Sequence, residues 1–205
     1  FLADVRGLDL SGYDVVVTDY EPVTAWAARR QGVECLGIGH QYAFGPQTPV
    51  TGGNPLTRLI MRSFAPVSEP LGLHWHPYGE RVLPPILDLP AADRDDEGFI
   101  LVYLPFENQD SVSALLSQLP AQRFIQYARD LPPGISANVT RRTANTESFK
   151  KHLAACSGVI CNSGFELISE CLHWRKRVLT KPLHGQMEQL SNALALEQLG
   201  YASTL

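Results

Sequence analysis

The stretch CNSGFELISECLHWRKRVLTKPLHGQMEQLSNA, residues 161–193, decides how the rest of the chain is read. It leaves an apolar run, turns on Ser163-Gly164 and enters a helix carrying Glu166 and Glu170. A second strand, RVLT, follows. A loop through His184 then leads to a helix that opens on Glu188-Gln189 and holds Asn192. Strand, helix, strand and helix in this order mark a parallel α/β sheet, whose ligands bind beyond the carboxyl ends of the strands. A helix start at that edge offers N–H groups and the positive end of its dipole to an anion such as a diphosphate. Taken singly, each residue also suits ordinary helix punctuation. Ser-Gly occurs in many strand–helix turns, and acidic side chains are common in a first helical turn.

The same rhythm extends upstream. YDVVVTD (13–19) is a continuous β-branched run, as expected of a strand buried on both faces. EPVTAWAARRQG (21–32) predicts a helix, with Pro22 in its first turn and Gly32 at its end. VECLGIGH (33–40) is the next strand, and 41–54 an irregular loop with three Gly and two Pro. PLTRLIMRSFAPV (55–67) has helical spacing through Leu56, Ile60 and Phe64, and 69–79 predicts a short strand. Residues 82–98, rich in Pro and Asp, read as an interdomain linker between 1–81 and 99–205. Beyond it the pattern restarts. FILVYLP, RFIQYA, ISANVTR, GVICNS and KRVLTKP are strands. Helices lie between them over 108–120, 146–157, 164–174 and 186–200, the first with Asp110 or Ser111 near its start.

Composition narrows the function classes. The 205 residues carry 44% hydrophobic and 19% charged residues and a net charge of −4. That excludes a disordered chain and gives no basic footprint for nucleic acid. No apolar run reaches the ~20 residues of a membrane span, and no amphipathic anchor stands out. Cys35, Cys156, Cys161 and Cys171 form no CxxC pair and read as buried free thiols in a reducing cytoplasm. The six histidines are scattered, so no metal site is expected. FLADVRGLDL reads as a chain already under way, and we expect an N-terminal portion to precede Phe1.

SGFELISECLHWRKRVLTKPLHGQMEQLSNA resembles the nucleotide-sugar signature of GT-B glycosyltransferases. It is similar to the pattern in UDP-glycosyltransferases and in the transferase that adds GlcNAc to lipid I. DVVVTDYEP fits a bacterial and archaeal group of glycosyltransferases in the same superfamily. The resemblance implies a GT-B fold of two Rossmann-like parallel α/β domains, the N-terminal one incomplete. It implies a nucleotide-sugar donor, with UDP as the nucleotide, and an acceptor that is lipid-linked or polysaccharide. Peripheral contact with the inner membrane face is part of the same expectation. No separate cofactor is implied, because the nucleotide-sugar is a substrate.

By this resemblance Ser163, Gly164, Phe165 and Glu166 present backbone groups to the diphosphate, and Glu170 holds the ribose. Glu188 and Gln189 hold the sugar, Glu188 replacing the usual Asp. Asn192 braces the turn or reaches toward the phosphates, and Arg142 and Thr143 meet the base. His184 lies in the sugar loop, and Phe106, Glu107 and Asn108 beside the phosphates. Arg175-Lys176-Arg177 departs from the usual Gly-hydrophobic-Pro step, on the side away from the ligand. The reaction implied is inverting and metal-independent, with one general base. Asp19, with Glu21 beside it, fits the orienting partner of that base, and the base itself is expected before Phe1. His40 ends a strand and is a candidate acceptor contact, or equally a satisfied core histidine. Two alternatives stay open: a UDP-sugar epimerase of the same fold, and a non-catalytic nucleotide-sugar-binding protein.

Overall fold

Residues 1–89, 96–129 and 131–205 are described by a computed structural model, in two separate units, Phe1–Ile86 and Leu87–Leu205. Of the stretch read as a linker, residues 90–95 lie outside the described residues.

Unit 1 begins with α1 (Leu2–Gly7) and β1 (Val15–Thr18). Glu21 then starts α2 (Pro22–Gln31): its carboxylate accepts from the N–H groups of Val23 and Thr24 at 2.8 and 2.7 Å. Pro22 needs no partner for the N–H it lacks, and Gly32 ends the helix at φ 71°. β2 (Glu34–Gly39), a 3-10 turn (His40–Ala43), α3 (Pro55–Phe64), β3 (Glu69–Leu73) and β4 (Val82–Leu83) complete the unit. Its sheet is parallel throughout, in the order β1-β2-β3-β4. Val82–Leu83, within the expected linker, thus form its last strand. Val5, Leu10, Val16, Ala27, Ala28 and Cys35 make the core on one face.

Two expectations are corrected in this unit. β1 is buried on one face only: Val16 and Thr18 point inward, while Val15 and Val17 are 47% and 59% exposed. A β-branched run permits two-sided burial, but within unit 1 no element covers that face. α3 carries the apolar stripe expected from the spacing of Leu56, Ile60 and Phe64, but that stripe is left open, although no amphipathic anchor stood out in the sequence. Leu56, Leu59, Ile60 and Phe64 are all exposed, Arg58 and Arg62 lie among them, and the helix has no buried residue.

Unit 2 runs β5 (Phe99–Tyr103), α4 (Gln109–Ser117), β6 (Arg123–Ala128), β7 (Gly134–Ser136) and β8 (Val139–Thr143). It continues through α5 (Thr146–Ala155), β9 (Gly158–Cys161) and α6 (Phe165–His173). β10 (Arg177–Thr180), α7 (Met187–Leu199) and β11 (Ser203–Thr204) close it. The strand order is β11-β10-β9-β5-β6-β8-β7, and all pairings are parallel except β7 with β8. ISANVTR is therefore a hairpin, not one strand. Ala137 turns at φ 49°, and Asn138 Nδ2 donates to the carbonyls of Leu116, Leu119 and Gln122. α4 is capped by Asn108, whose Oδ1 accepts from Ser111 N–H at 2.9 Å, rather than by Asp110 or Ser111.

The order places the topological switch point between β5 and β9. From β5 the chain moves outward through β6 and β8, then returns to the other side of β5 as β9. Ligands of open α/β sheets bind at that crevice.

Candidate functional site

The turn that leaves β9 sits at the switch point. Ser163 is fully buried, and its hydroxyl lies 2.8 Å from that of Thr180, the last residue of β10. Asn192, fully buried on α7, donates Nδ2 to the Ser163 carbonyl at 3.0 Å. Asn192 therefore braces the turn. Asn162 Nδ2 donates to the Lys181 carbonyl at 2.9 Å, and Lys181 N–H to the Cys161 carbonyl at 2.8 Å. Bonds from the end of β10 and from α7 thus hold residues 161–163.

Gly164 is the N-cap of α6, at φ −72° and ψ 139°. Any residue adopts those angles. A Cβ placed there meets nothing within 4 Å. Neither conformation nor internal packing asks for glycine, so its missing side chain leaves open space against the backbone at a helix start. Among the described residues no side chain caps α6. The positive end of its dipole and the first N–H groups face that space.

Glu170 stands a turn and a half into α6. Its carboxylate lies 3.7 Å from Lys150 Nζ, and Lys150 also reaches the Asp88 carboxylate and carbonyl. Burial pushes the Glu170 carboxyl up, and the Lys150 charge pulls the other way. Lys150 was not foreseen: it lies twenty residues upstream on α5, with no local motif around it. Gln189 is buried, and its Oε1 accepts from Leu183 N–H at 3.1 Å, which fixes the loop that carries exposed His184. Glu188 is half-buried beside it in the first turn of α7.

Arg142 and Thr143 end β8 and line a hollow of about 350 Å³ with Pro133, Gly134, Ile135 and Ser148. Thr143 Oγ1 donates to the Leu131 carbonyl at 3.0 Å, so its hydroxyl is engaged. Phe106 is exposed in the loop after β5. Glu107, in the same loop, pairs with Lys181. Asn108 is the α4 cap described above. Lys176 Nζ donates to the carbonyls of Ala154 and Cys156, while Arg175 and Arg177 are exposed.

In unit 1, Asp19 follows β1 and stands at its carboxyl end. The Asp19 carboxylate lies so close to Gly39 that a Cβ there would meet Oδ1 at 2.7 Å. Tyr20, at φ 53°, makes the sharp turn between Asp19 and the Glu21 cap. Glu21 is occupied as that cap. His40 is buried, and its Nδ1–H donates to the Leu73 carbonyl at 2.8 Å. Its ring packs against Phe44, His74 and Trp75. The structure brings Asp19 and His40 to the ends of neighbouring strands.

The model of the family described as glycosyl transferase family 1 matches residues 9–205. The chain belongs to glycosyl transferase family 1. A comparison with curated protein sequences found no match. Among solved structures, this glycosyl transferase family chain is similar to MurG of Acinetobacter baumannii, with TM-score 0.59 and 18% identity. That match covers 100% of this chain and 63% of MurG. Arabidopsis thaliana UGT89C1, solved with UDP, gives TM-score 0.67 at 12% identity, over 99% of this chain and 62% of its own. The Streptomyces sp. SF2575 glycosyltransferase SsfS6, solved with thymidine diphosphate, gives 0.57 at 15% identity, over 94% and 57%. These likenesses establish the GT-B fold. The family 1 chain spans about three fifths of the length of these relatives.

Proposed function

We propose that the protein transfers a sugar from a nucleotide-sugar, UDP-sugar first among them, to an acceptor hydroxyl with inversion and without a metal. The observation that carries this reading is the Gly164 turn: a braced, uncapped helix start at the switch point, opened by a glycine that folding does not require. The diphosphate docks there, its charge met by the α6 dipole and nearby cations. Glu170 accepts from the ribose hydroxyls, and the Arg142-Thr143 hollow takes the base. Glu188 and the Nε2 donors of Gln189 bind the sugar, with His184 at its edge. No separate cofactor enters.

On the acceptor side we assign Asp19 the orienting role and His40 a wall of the acceptor pocket. The general base is assigned to no described residue. Among the described residues no helix is long and apolar enough to cross a membrane. A lipid-linked acceptor at the cytoplasmic membrane face agrees with the exposed apolar and basic side chains of α3. UDP binding tests the reading directly. Saturating UDP at a hundred times Kd should add about 2.7 kcal/mol of stability, read as a rise in Tm. Glu170→Ala should abolish most of that rise. An unchanged Tm with UDP, UDP-glucose and UDP-GlcNAc would sink the reading.

A further inference from the structure

Lys181 and Glu107 form an ion pair across the switch point. β9 lies between β5 and β10 in the sheet. Glu107 follows β5, in a turn closed by its own N–H on the Leu104 carbonyl at 3.0 Å. Lys181 is the first residue after β10. The pair therefore arches over the carboxyl end of β9, where residues 162–164 lead into α6.

The local fold has little need of this bridge. The Glu107 loop is already held by Gln109, whose Nε2 donates to the carbonyls of Leu104 and Glu107 at 2.8 Å each. The Lys181 backbone is fixed by Asn162 and Cys161. The two side chains are 42% and 28% exposed, and pairs so accessible contribute little to stability. An ammonium beside the positive end of a helix dipole is unfavourable unless an anion joins them. Glu107 is that anion in the free chain. A second observation marks the place as a ligand site. Asn162 is more than nine-tenths buried, and its Oδ1 has no partner among the described residues. That leaves a spare acceptor next to Lys181.

We propose that Lys181 binds the donor diphosphate and that Glu107 is its internal stand-in, displaced when the donor arrives. The exchange of one anion for another keeps the ammonium paired throughout, and Asn162 Oδ1 accepts from a ligand hydroxyl. Glu107 thereby weakens binding of any ligand too poorly charged to displace it, which favours a diphosphate over a neutral nucleoside. This inference rests on the nucleotide-sugar reading of unit 2.

Calorimetric titration of the chain with UDP, uridine and inorganic pyrophosphate tests it, using Lys181→Met, Lys181→Arg and Glu107→Gln. Lys181→Met should weaken UDP and pyrophosphate at least tenfold and leave uridine unchanged. Lys181→Arg should recover most of the loss. Glu107→Gln should tighten UDP and pyrophosphate several-fold. Equal UDP affinity in Lys181→Met and the parent overturns the role of Lys181. Weaker binding by Glu107→Gln overturns the stand-in. Pyrophosphate binding that depends on Lys181 without any UDP binding would keep this inference and remove the nucleotide reading. Binding of neither probe removes both.

Discussion

β1 and β5 carry much the same signal in sequence and meet different fates. VVVT and FILVY are both continuous strand formers. In β5, Phe99, Leu101 and Val102 are buried, as expected of a strand covered on both faces. In β1, alternate valines are exposed, and the amphipathic α3 in the same unit buries nothing. An apolar run shows that a strand tolerates two-sided burial; which faces are covered depends on its neighbours. The units differ in their open surfaces accordingly. Unit 1 leaves an apolar face open, and unit 2 leaves a polar turn open at a switch point.

The largest effect expected contrasts the two units. Leu153, fully buried on α5, should cost about 2–5 kcal/mol when replaced by Ala. Val17→Thr, on the open face of β1, should change stability by less than about 0.5 kcal/mol. Urea denaturation of both variants measures the difference. A Val17→Thr cost in the range of Leu153→Ala would mean that the β1 face is covered in solution, and the contrast would collapse.

The next effect belongs to unit 1 and depends on pH. Burial, then the neighbouring imidazoles of His40 and His76, push His74 down to about 4. Its pKa is lower folded than unfolded, so its neutral form supports the fold above about pH 6.5. That support is lost as pH falls toward 4, because the unfolded chain takes up the proton first. The loss approaches ~1.4 kcal/mol per pH unit in that window. Stability measured from pH 7.5 to 4 should show this slope, and His74→Gln should flatten it. An unaltered slope in His74→Gln would place the acid sensitivity elsewhere.

These contrasts also show what a sequence carries. Helix ends were legible because caps are local: Pro22 and Gly32 bracket α2, and Gly200 ends α7 at φ 69°. The turn at 163–164 was legible because strand, glycine and helix follow one another directly. The Lys181–Glu107 pair was not, because its partners stand 74 residues apart and meet only through the strand order. Lys150 escaped for the same reason. The β7–β8 hairpin carries no Asn-Gly or Asp-Gly signal; it turns on Ala137 and Asn138, and the Asn138 amide pins it to carbonyls outside the turn. His40 was read either as a contact or as a core histidine, and its buried ring and Leu73 bond show how firmly it is packed.

The smallest change in stability should accompany Gly164→Ala, and it tests what the open turn in unit 2 is for. Alanine is a poorer N-cap than glycine, which costs a fraction of a kcal/mol. Alanine also restricts the unfolded chain, which returns about 0.4–1 kcal/mol at angles it tolerates. The two terms nearly cancel, and the new methyl meets no atom of the chain within 4 Å. Stability should therefore stay within about 0.5 kcal/mol of the parent. UDP affinity should fall at least tenfold, because the methyl fills the space through which the phosphates reach the α6 N–H groups. Parallel denaturation and UDP titration separate the two readouts. Unchanged stability with unchanged UDP affinity would make Gly164 incidental and leave α6 without an argument for anion binding. A large loss of stability would show that unit 2 uses the glycine for folding, as unit 1 uses Gly32.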